Sequence, residues 1–353
     1  MPSRTKEQLE KIWIKKTMSH IGSGKDNLSK RTLSLYAERI KRVWKLLYPD
    51  KSFKGKTFIH RDVKKIIKAI NEDEMAISSK AGLYSALLST YNSKSVKILA
   101  NGKSMYAREL KKWSDIIKNS DKKQVNNKKE NIRWKTSEEL KEGRDKLWNK
   151  YLSSKKLKDY RDYVMFSLFT LLPPRRSLDY SEMIVSQDEN KEGNLLITRF
   201  KKNKDGSKRK RVFWKFIFND FKLSKNKGSE SFDRYFILNL PNGKEIVKLL
   251  DDWIRKNPKK YFLLEPRNGT HMSKAMSRLS TKAVGQPVNI NILRHIYISE
   301  FLDTNPFLLE KEAVSLFMSH SIAQQEMYRK RINKEDIKGF EREEPELEAV
   351  PET

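Results

Sequence analysis

The sequence predicts a mainly α-helical protein with one small antiparallel β-sheet: an N-terminal helical bundle followed by a larger α+β domain. Three observations lead there. Apolar residues recur at three- and four-residue spacing through the first third of the chain, a polar stretch without periodicity follows near residues 119–129, and two strand-like runs lie beyond residue 190. At 353 residues there is room for two domains, each with its own core.

The first stripe is Leu33, Tyr36, Ala37, Ile40, Val43, Trp44 and Leu47, and Tyr48-Pro49-Asp50 stops it. Ile59, Val63, Ile66, Ile67 and Ile70 make a second, and Leu83, Leu87, Leu88 and Tyr91 a third. Lys and Arg fill the opposite faces of the first two. These stripes place a helical bundle over residues 1–120. Asn-Ser-Asp-Lys-Lys-Gln-Val-Asn-Asn-Lys-Lys, from Asn119 to Lys129, reads as a linker, with bounds 121–131.

The second domain, 132–333, opens at Trp134-Lys135-Thr136-Ser137-Glu138-Glu139, where Thr136 and Glu139 have capping-box spacing. Leu140, Leu147, Trp148 and Tyr151 then supply the buried face of that helix. Leu195–Phe200 and Arg211–Phe218 read as strands, and Asp205-Gly206 between them is a hairpin turn signal. Helices resume from Met272 and continue past Tyr328, and residues 334–353 form an acidic tail. No internal repeat is present.

Composition narrows the function. The net charge is +30, with 34% charged and 37% apolar residues. Glu341–Thr353 carries six Glu against one Arg, so the remainder of the chain is at +35. A charge of that size repels itself, and a polyanion such as nucleic acid is the partner that relieves it. With no cysteine, disulfides, zinc–thiolate sites and thiol nucleophiles are excluded. No apolar run approaches the ~20 residues of a membrane span, and the start Met-Pro-Ser-Arg-Thr-Lys-Glu lacks a secretory core. The expectation is a soluble intracellular protein that does not meet a membrane. Neither a paired acidic cluster with metal spacing nor a glycine-rich phosphate loop is present. That reads against two-metal nuclease chemistry and against ATP-driven DNA remodelling.

Five residues carry the chemistry: Arg176, a lysine near 201, Arg294, His320 and Tyr328. A free tyrosine has a pKa of about 10, so about one in a thousand is ionised at neutral pH. Nearby positive charge or a proton acceptor makes it a nucleophile, and fixed arginines can receive the charge that builds on an attacked phosphate.

The local wording resembles the tyrosine recombinase (phage integrase) family in three places. Leu171-Leu172-Pro173-Pro174-Arg175-Arg176-Ser177-Leu178-Asp179 is similar to the family's first box, where an acidic residue follows the arginine by three. That spacing favours Arg176 over Arg175. Asn291-Ile292-Leu293-Arg294-His295 is similar to the second box, with Asn291 where the family usually has histidine. Met318-Ser319-His320 through Tyr328 is similar to the third; the family often has glycine where Ser319 stands.

The resemblance implies a site-specific recombinase or integrase of a mobile element or DNA virus, using neither cofactor nor metal. Tyr328 would form a 3′-phosphotyrosine link, while Arg176, Arg294 and His320 hold the phosphate and Asn291 assists by position. The family's general acid is a lysine on the hairpin, for which Lys201, Lys202, Lys204 and Lys208 are candidates and Lys201, ending the first strand, is preferred. His295 would brace its helix. Residues 1–120 would be the core-binding domain that clamps double-stranded DNA, and 132–333 the catalytic domain. The expected assembly is a homo-tetramer on two duplexes, and a monomer or weak oligomer without DNA. The alternatives are a type IB topoisomerase, or a DNA-binding relative that has lost catalysis.

Overall fold

The computed structural model describes residues 5–22, 28–53, 57–91, 100–124, 128–201, 210–219, 233–257, 261–264 and 269–330. The acidic tail, the Asp205-Gly206 turn, Lys202, Lys204 and Lys208 lie outside them. The chain forms two compact units, Met1–Lys123 and Gln124–Thr353.

The first unit contains α1 (Lys6–Gly22), α2 (Lys30–Leu47), α3 (Phe58–Arg61), α4 (Val63–Glu72), α5 (Ile77–Tyr91) and α6 (Ala100–Lys122). The Ser29 hydroxyl caps α2 by accepting from the Thr32 amide. The stripe from Ile59 to Ile70 proves to be two helices, because Asp62, at φ −105° and ψ 28°, leaves the helical region between α3 and α4. Its isoleucines still point inward. Ile40, Ile59, Ile66, Ile70, Leu83, Leu87 and Tyr91 share one core with Tyr106 of α6, whose hydroxyl donates to the Ile59 carbonyl at 2.9 Å.

The second unit contains α7 (Lys128–Arg133), α8 (Ser137–Ser154), α9 (Leu157–Leu171), α10 (Ser177–Ser181), β1 (Ile184–Ser186), β2 (Leu195–Lys201), β3 (Lys210–Phe218), β4 (Asp233–Phe236), a 3-10 turn Ile237–Asn239, α11 (Gly243–Lys256), α12 (Gly269–Val284), α13 (Ile290–Asp303), α14 (Leu308–Phe317) and α15 (Ile322–Tyr328). The stretch read as a linker therefore holds the end of α6 and much of α7. The capping box is present in both directions: Glu139 N–H to the Thr136 hydroxyl, and Thr136 N–H to the Glu139 carboxylate.

The expected hairpin is the centre of a four-stranded sheet in the order β1-β2-β3-β4. That sheet is mixed rather than antiparallel, because the three-residue β1 pairs in parallel with β2 (Ile184 opposite Leu195). Residues 187–194 return the chain to the starting edge, and Glu189 within them is tied at 2.7 Å to both Lys215 of β3 and Arg199 of β2. The hydrogen bond from Lys215 comes first among the causes that hold the Glu189 carboxyl below its usual range.

Leu196, Trp214, Phe216 and Phe218 share the main core with Val164, Phe166, Leu168 and Phe169 of α9, Leu293 and Ile296 of α13, and Phe317 of α14. α13 is buried on Ile290, Ile292, Leu293, Arg294, Ile296, Ile298, Ser299 and Leu302, so its one arginine is carried inward on a face that is apolar but for Ser299.

The start of α11 is tight. Asn242 adopts φ 55°, and a Cβ placed on Gly243 would lie 2.1 Å from the Ile237 carbonyl oxygen. Backbone cannot yield there as a side chain can. Gly243→Ala is expected to destabilise the second unit by about 1–3 kcal/mol, read as a lower urea midpoint for its unfolding.

Candidate active site

α13 begins at Asn289, whose side-chain oxygen accepts from the Ile292 amide at 3.0 Å. Five residues on, little more than one turn, stands Arg294, fully buried. Its Nη1 donates to the Pro174 carbonyl at 2.6 Å and its Nη2 to the Met318 carbonyl at 3.3 Å, while Nε–H has no partner among the described residues.

Two further arginines reach the same turn. Arg175, also fully buried, donates from Nε to Asp179 at 2.7 Å, from Nη1 to the Phe317 carbonyl, and packs 3.7 Å over the Phe218 ring. Burial pushes the Asp179 carboxyl up, against the pull of Arg175. Arg176 is partly exposed, and its Nη1 donates to the Ser319 carbonyl at 3.2 Å. With the Tyr235 hydroxyl on the Leu316 carbonyl at 2.9 Å, each carbonyl from Leu316 to Ser319 has a side-chain donor. These carbonyls close α14, where a helix leaves acceptors unpaired and its dipole favours cations.

The turn itself is a left-handed helix end. Ser319 adopts φ 56°, and the His320 amide reaches back to the Ser315 carbonyl at 3.0 Å. This conformation explains why glycine suits the position before the histidine. Ser321 then caps α15 by accepting from the Gln324 amide at 3.2 Å, and α15 ends on Tyr328.

The Tyr328 ring is half-buried. The Arg294 guanidinium lies 5.1 Å from its centroid, the His320 ring stacks on it at 5.6 Å and 19°, and the His295 ring is 4.7 Å away. His295 Nδ1 lies 2.8 Å from the Tyr328 carbonyl. A carbonyl only accepts, so Nδ1 carries the proton there.

The same reasoning applies to His320. Its Nδ1 lies 3.3 Å from the Ser321 carbonyl and is the protonated nitrogen, while the buried Nε2 has no partner among the described residues. Burial, then the charge of Arg294, pushes the His320 pKa down to about 4. At neutral pH the ring is therefore uncharged and Nε2 presents a lone pair. Burial also lowers His295. Arg294 is lowered by burial and raised again by Tyr328, chiefly through charge.

Arg294, His320 and Tyr328 thus come into direct contact, and Arg176 joins them through the Ser319 carbonyl. The acidic mark used to choose Arg176 belongs instead to its neighbour, since Asp179 pairs with Arg175 at i,i+4. Arg175 has its charge met inside the core; Arg176 is the arginine of the pair open to solvent. Asn291 is exposed on the first turn of α13. Lys201 closes β2 opposite Lys210. A basic face on α12 escaped the sequence reading: Arg278 and Lys282 line a cavity of about 220 Å³ with Lys158 and Arg161 of α9. Its signal is present as Ser273-Lys274 and Ser277-Arg278, one helical turn apart.

No family model and no curated protein matches the chain. The solved structures it is similar to include two recombinases. One is a XerA recombinase, 12% identical, with 93% of this chain and 96% of that one covered at a TM-score of 0.35. The other is a XerH site-specific recombinase bound to palindromic difH substrate in a post-cleavage complex, 12% identical, with 96% and 84% covered at a TM-score of 0.46.

Two outcomes are expected of this turn. Ser319→Gly relieves a left-handed residue and removes a buried hydroxyl that has no partner among the described residues, and should raise stability by about 1 kcal/mol in urea unfolding. His320 and His295 both have folded-state pKa values below the ordinary 6.5, so the unfolded chain binds more protons. Stability should therefore fall as pH drops from about 6.5 towards 4, and His320→Gln should flatten part of that slope, by about 1–3 kcal/mol at its foot.

Proposed function

We propose that the residues around Tyr328 form the active site of a site-specific DNA recombinase that cuts and rejoins strands through a 3′-phosphotyrosine link. One observation carries the reading. A half-buried phenol lies between a fully buried arginine and a neutral histidine, and Arg294 Nε and His320 Nε2 both lack partners among the described residues. Buried polar atoms left open in this way suit the oxygens of a bound phosphate.

In the proposed reaction the Tyr328 oxygen attacks phosphorus as its proton passes to His320 Nε2. The imidazolium so formed donates to a non-bridging oxygen, and Arg294 and Arg176 take the rest of the developing charge. The bond from phosphorus to the 5′-oxygen breaks, and that oxygen takes its proton from Lys201 as general acid. A 5′-hydroxyl from a second strand reverses the sequence and frees Tyr328. The bond energy stays in the tyrosyl ester, so the scheme calls for neither ATP nor metal. Asn291 can offer an amide hydrogen bond but cannot carry a proton at neutral pH, which leaves the acid–base steps to His320 and Lys201.

Double-stranded DNA is the substrate that answers the charge of +30. Lys274 and Arg278, exposed on α12, would offer further phosphate contacts. The helical first unit would clamp the duplex, and four copies on two duplexes would exchange strands.

A duplex nicked so that the released fragment diffuses away should trap a covalent protein–DNA adduct. Tyr328→Phe should abolish it, and Arg294→Ala should slow it by about 10²–10³. A wild-type chain that forms no adduct on its own site is not a strand transferase, and a DNA-binding role, which exposed Asn291 in place of histidine would suit, then stands in its place.

A further inference from the structure

α15 spans seven residues, Ile322–Tyr328, too few to hold a helix in water unaided. Its position comes from tethers. Three fasten its end to α13: His295 Nδ1 to the Tyr328 carbonyl at 2.8 Å, the Lys330 amide to Ser299 Oγ at 2.8 Å, and Arg329 to Asp303 at 2.6 Å. A fourth comes from 202 residues away, where Gln124 Nε2 donates to the Glu326 carbonyl at 2.9 Å.

Gln124 is the first residue of the second unit, and it follows directly on the turn that closes α6. It adopts φ 53°, a left-handed conformation that a side chain disfavours. Glycine or asparagine is usual at such a helix end. Glutamine brings no conformational ease to that place. What it adds is an amide long enough to reach the carbonyl two residues before Tyr328.

We infer that Gln124 is a positioning residue for Tyr328. Its side-chain N–H, on the Glu326 carbonyl, fixes the last turn of α15 and with it the direction of the phenol. It also ties the helix of the nucleophile to the segment joining the two units. The inference rests on the nucleophile role proposed above.

A helix-ending role and a tethering role separate by substitution in the full-length chain. Gln124→Gly relaxes the left-handed turn but deletes the tether, Gln124→Glu keeps size and removes the donor, and Gln124→Lys keeps a donor of similar reach. Single-turnover adduct formation on the nicked duplex should slow about three- to ten-fold in the Gly and Glu variants, with DNA affinity unchanged, and stay within about two-fold of wild type in the Lys variant. Amide hydrogen exchange in α15 should quicken in the first two only. Wild-type rates and wild-type exchange in all three variants would overturn the inference. So would a slowing that appears equally in Gln124→Lys and tracks lost DNA affinity. If the wild-type chain itself forms no adduct, the strand-transfer reading fails and the positioning role falls with it, while the exchange data still decide whether Gln124 fixes α15.

Discussion

The unpaired carbonyls at the end of α14 organise the site. A helix leaves its last acceptors short of backbone donors, and here Phe317, Met318 and Ser319 are buried, where water cannot readily satisfy them. Arg175, Arg294 and Arg176 supply donors to the carbonyls of Phe317, Met318 and Ser319, while the Tyr235 hydroxyl adds a second donor to the Leu316 carbonyl, which already accepts from the Ser319 amide at 3.0 Å. The consequence is mutual. The helix end holds three guanidinium groups within one turn of each other, and they hold the turn that carries His320. Three positive charges so close would repel in isolation; the negative end of the dipole and the carbonyl lone pairs make the arrangement tolerable.

The two fully buried arginines are compensated differently, and the difference has a chemical result. Arg175 meets a carboxylate, a carbonyl and the face of Phe218, so its charge is neutralised where it stands. Arg294 meets two carbonyls and the face of Tyr328 and keeps one donor open. Carbonyls satisfy hydrogen bonds without cancelling charge. The surplus acts on its surroundings: after burial itself, Arg294 is the largest cause keeping His320 neutral. An anion entering beside Arg294 would reverse that bias, since it meets the open donor and favours a protonated imidazole. The site is thus held in a state that an incoming phosphate would change.

Much of the local structure was readable from residues alone, because local rules decide it. The Thr136–Glu139 box, the stop after Leu47 and the strands around the hairpin follow from capping chemistry, proline and periodicity. Misreadings arose where one residue of context mattered. Asp62 split a helix whose apolar stripe ran through it, and the parallel β1 could not be read from three residues with no alternation to show. Arg175 and Arg176 are adjacent, so their order along the chain says nothing of which one turns inward; Asp179 pairs with the buried one. Ser319 gave no sign of its left-handed conformation, since serine adopts it only when the surrounding turn compels it. Gln124 lies in a polar stretch that carries no pattern at all.

The sequence by itself determined the helical character of the chain, its two-part division, its excess of positive charge and the order in which Arg176, Arg294, His320 and Tyr328 occur. Each of these depends on composition or on neighbours within a few residues. The tertiary structure decided which arginine is neutralised and which is open, that His320 is uncharged with no partner for its Nε2 among the described residues, and that the last turn of α15 is tethered. Those outcomes depend on burial and on partners 24 to 202 residues apart, as from Arg294 to Met318 and from Gln124 to Glu326. Desolvation and dipole fields belong to the packed molecule, and no spacing along the chain encodes them.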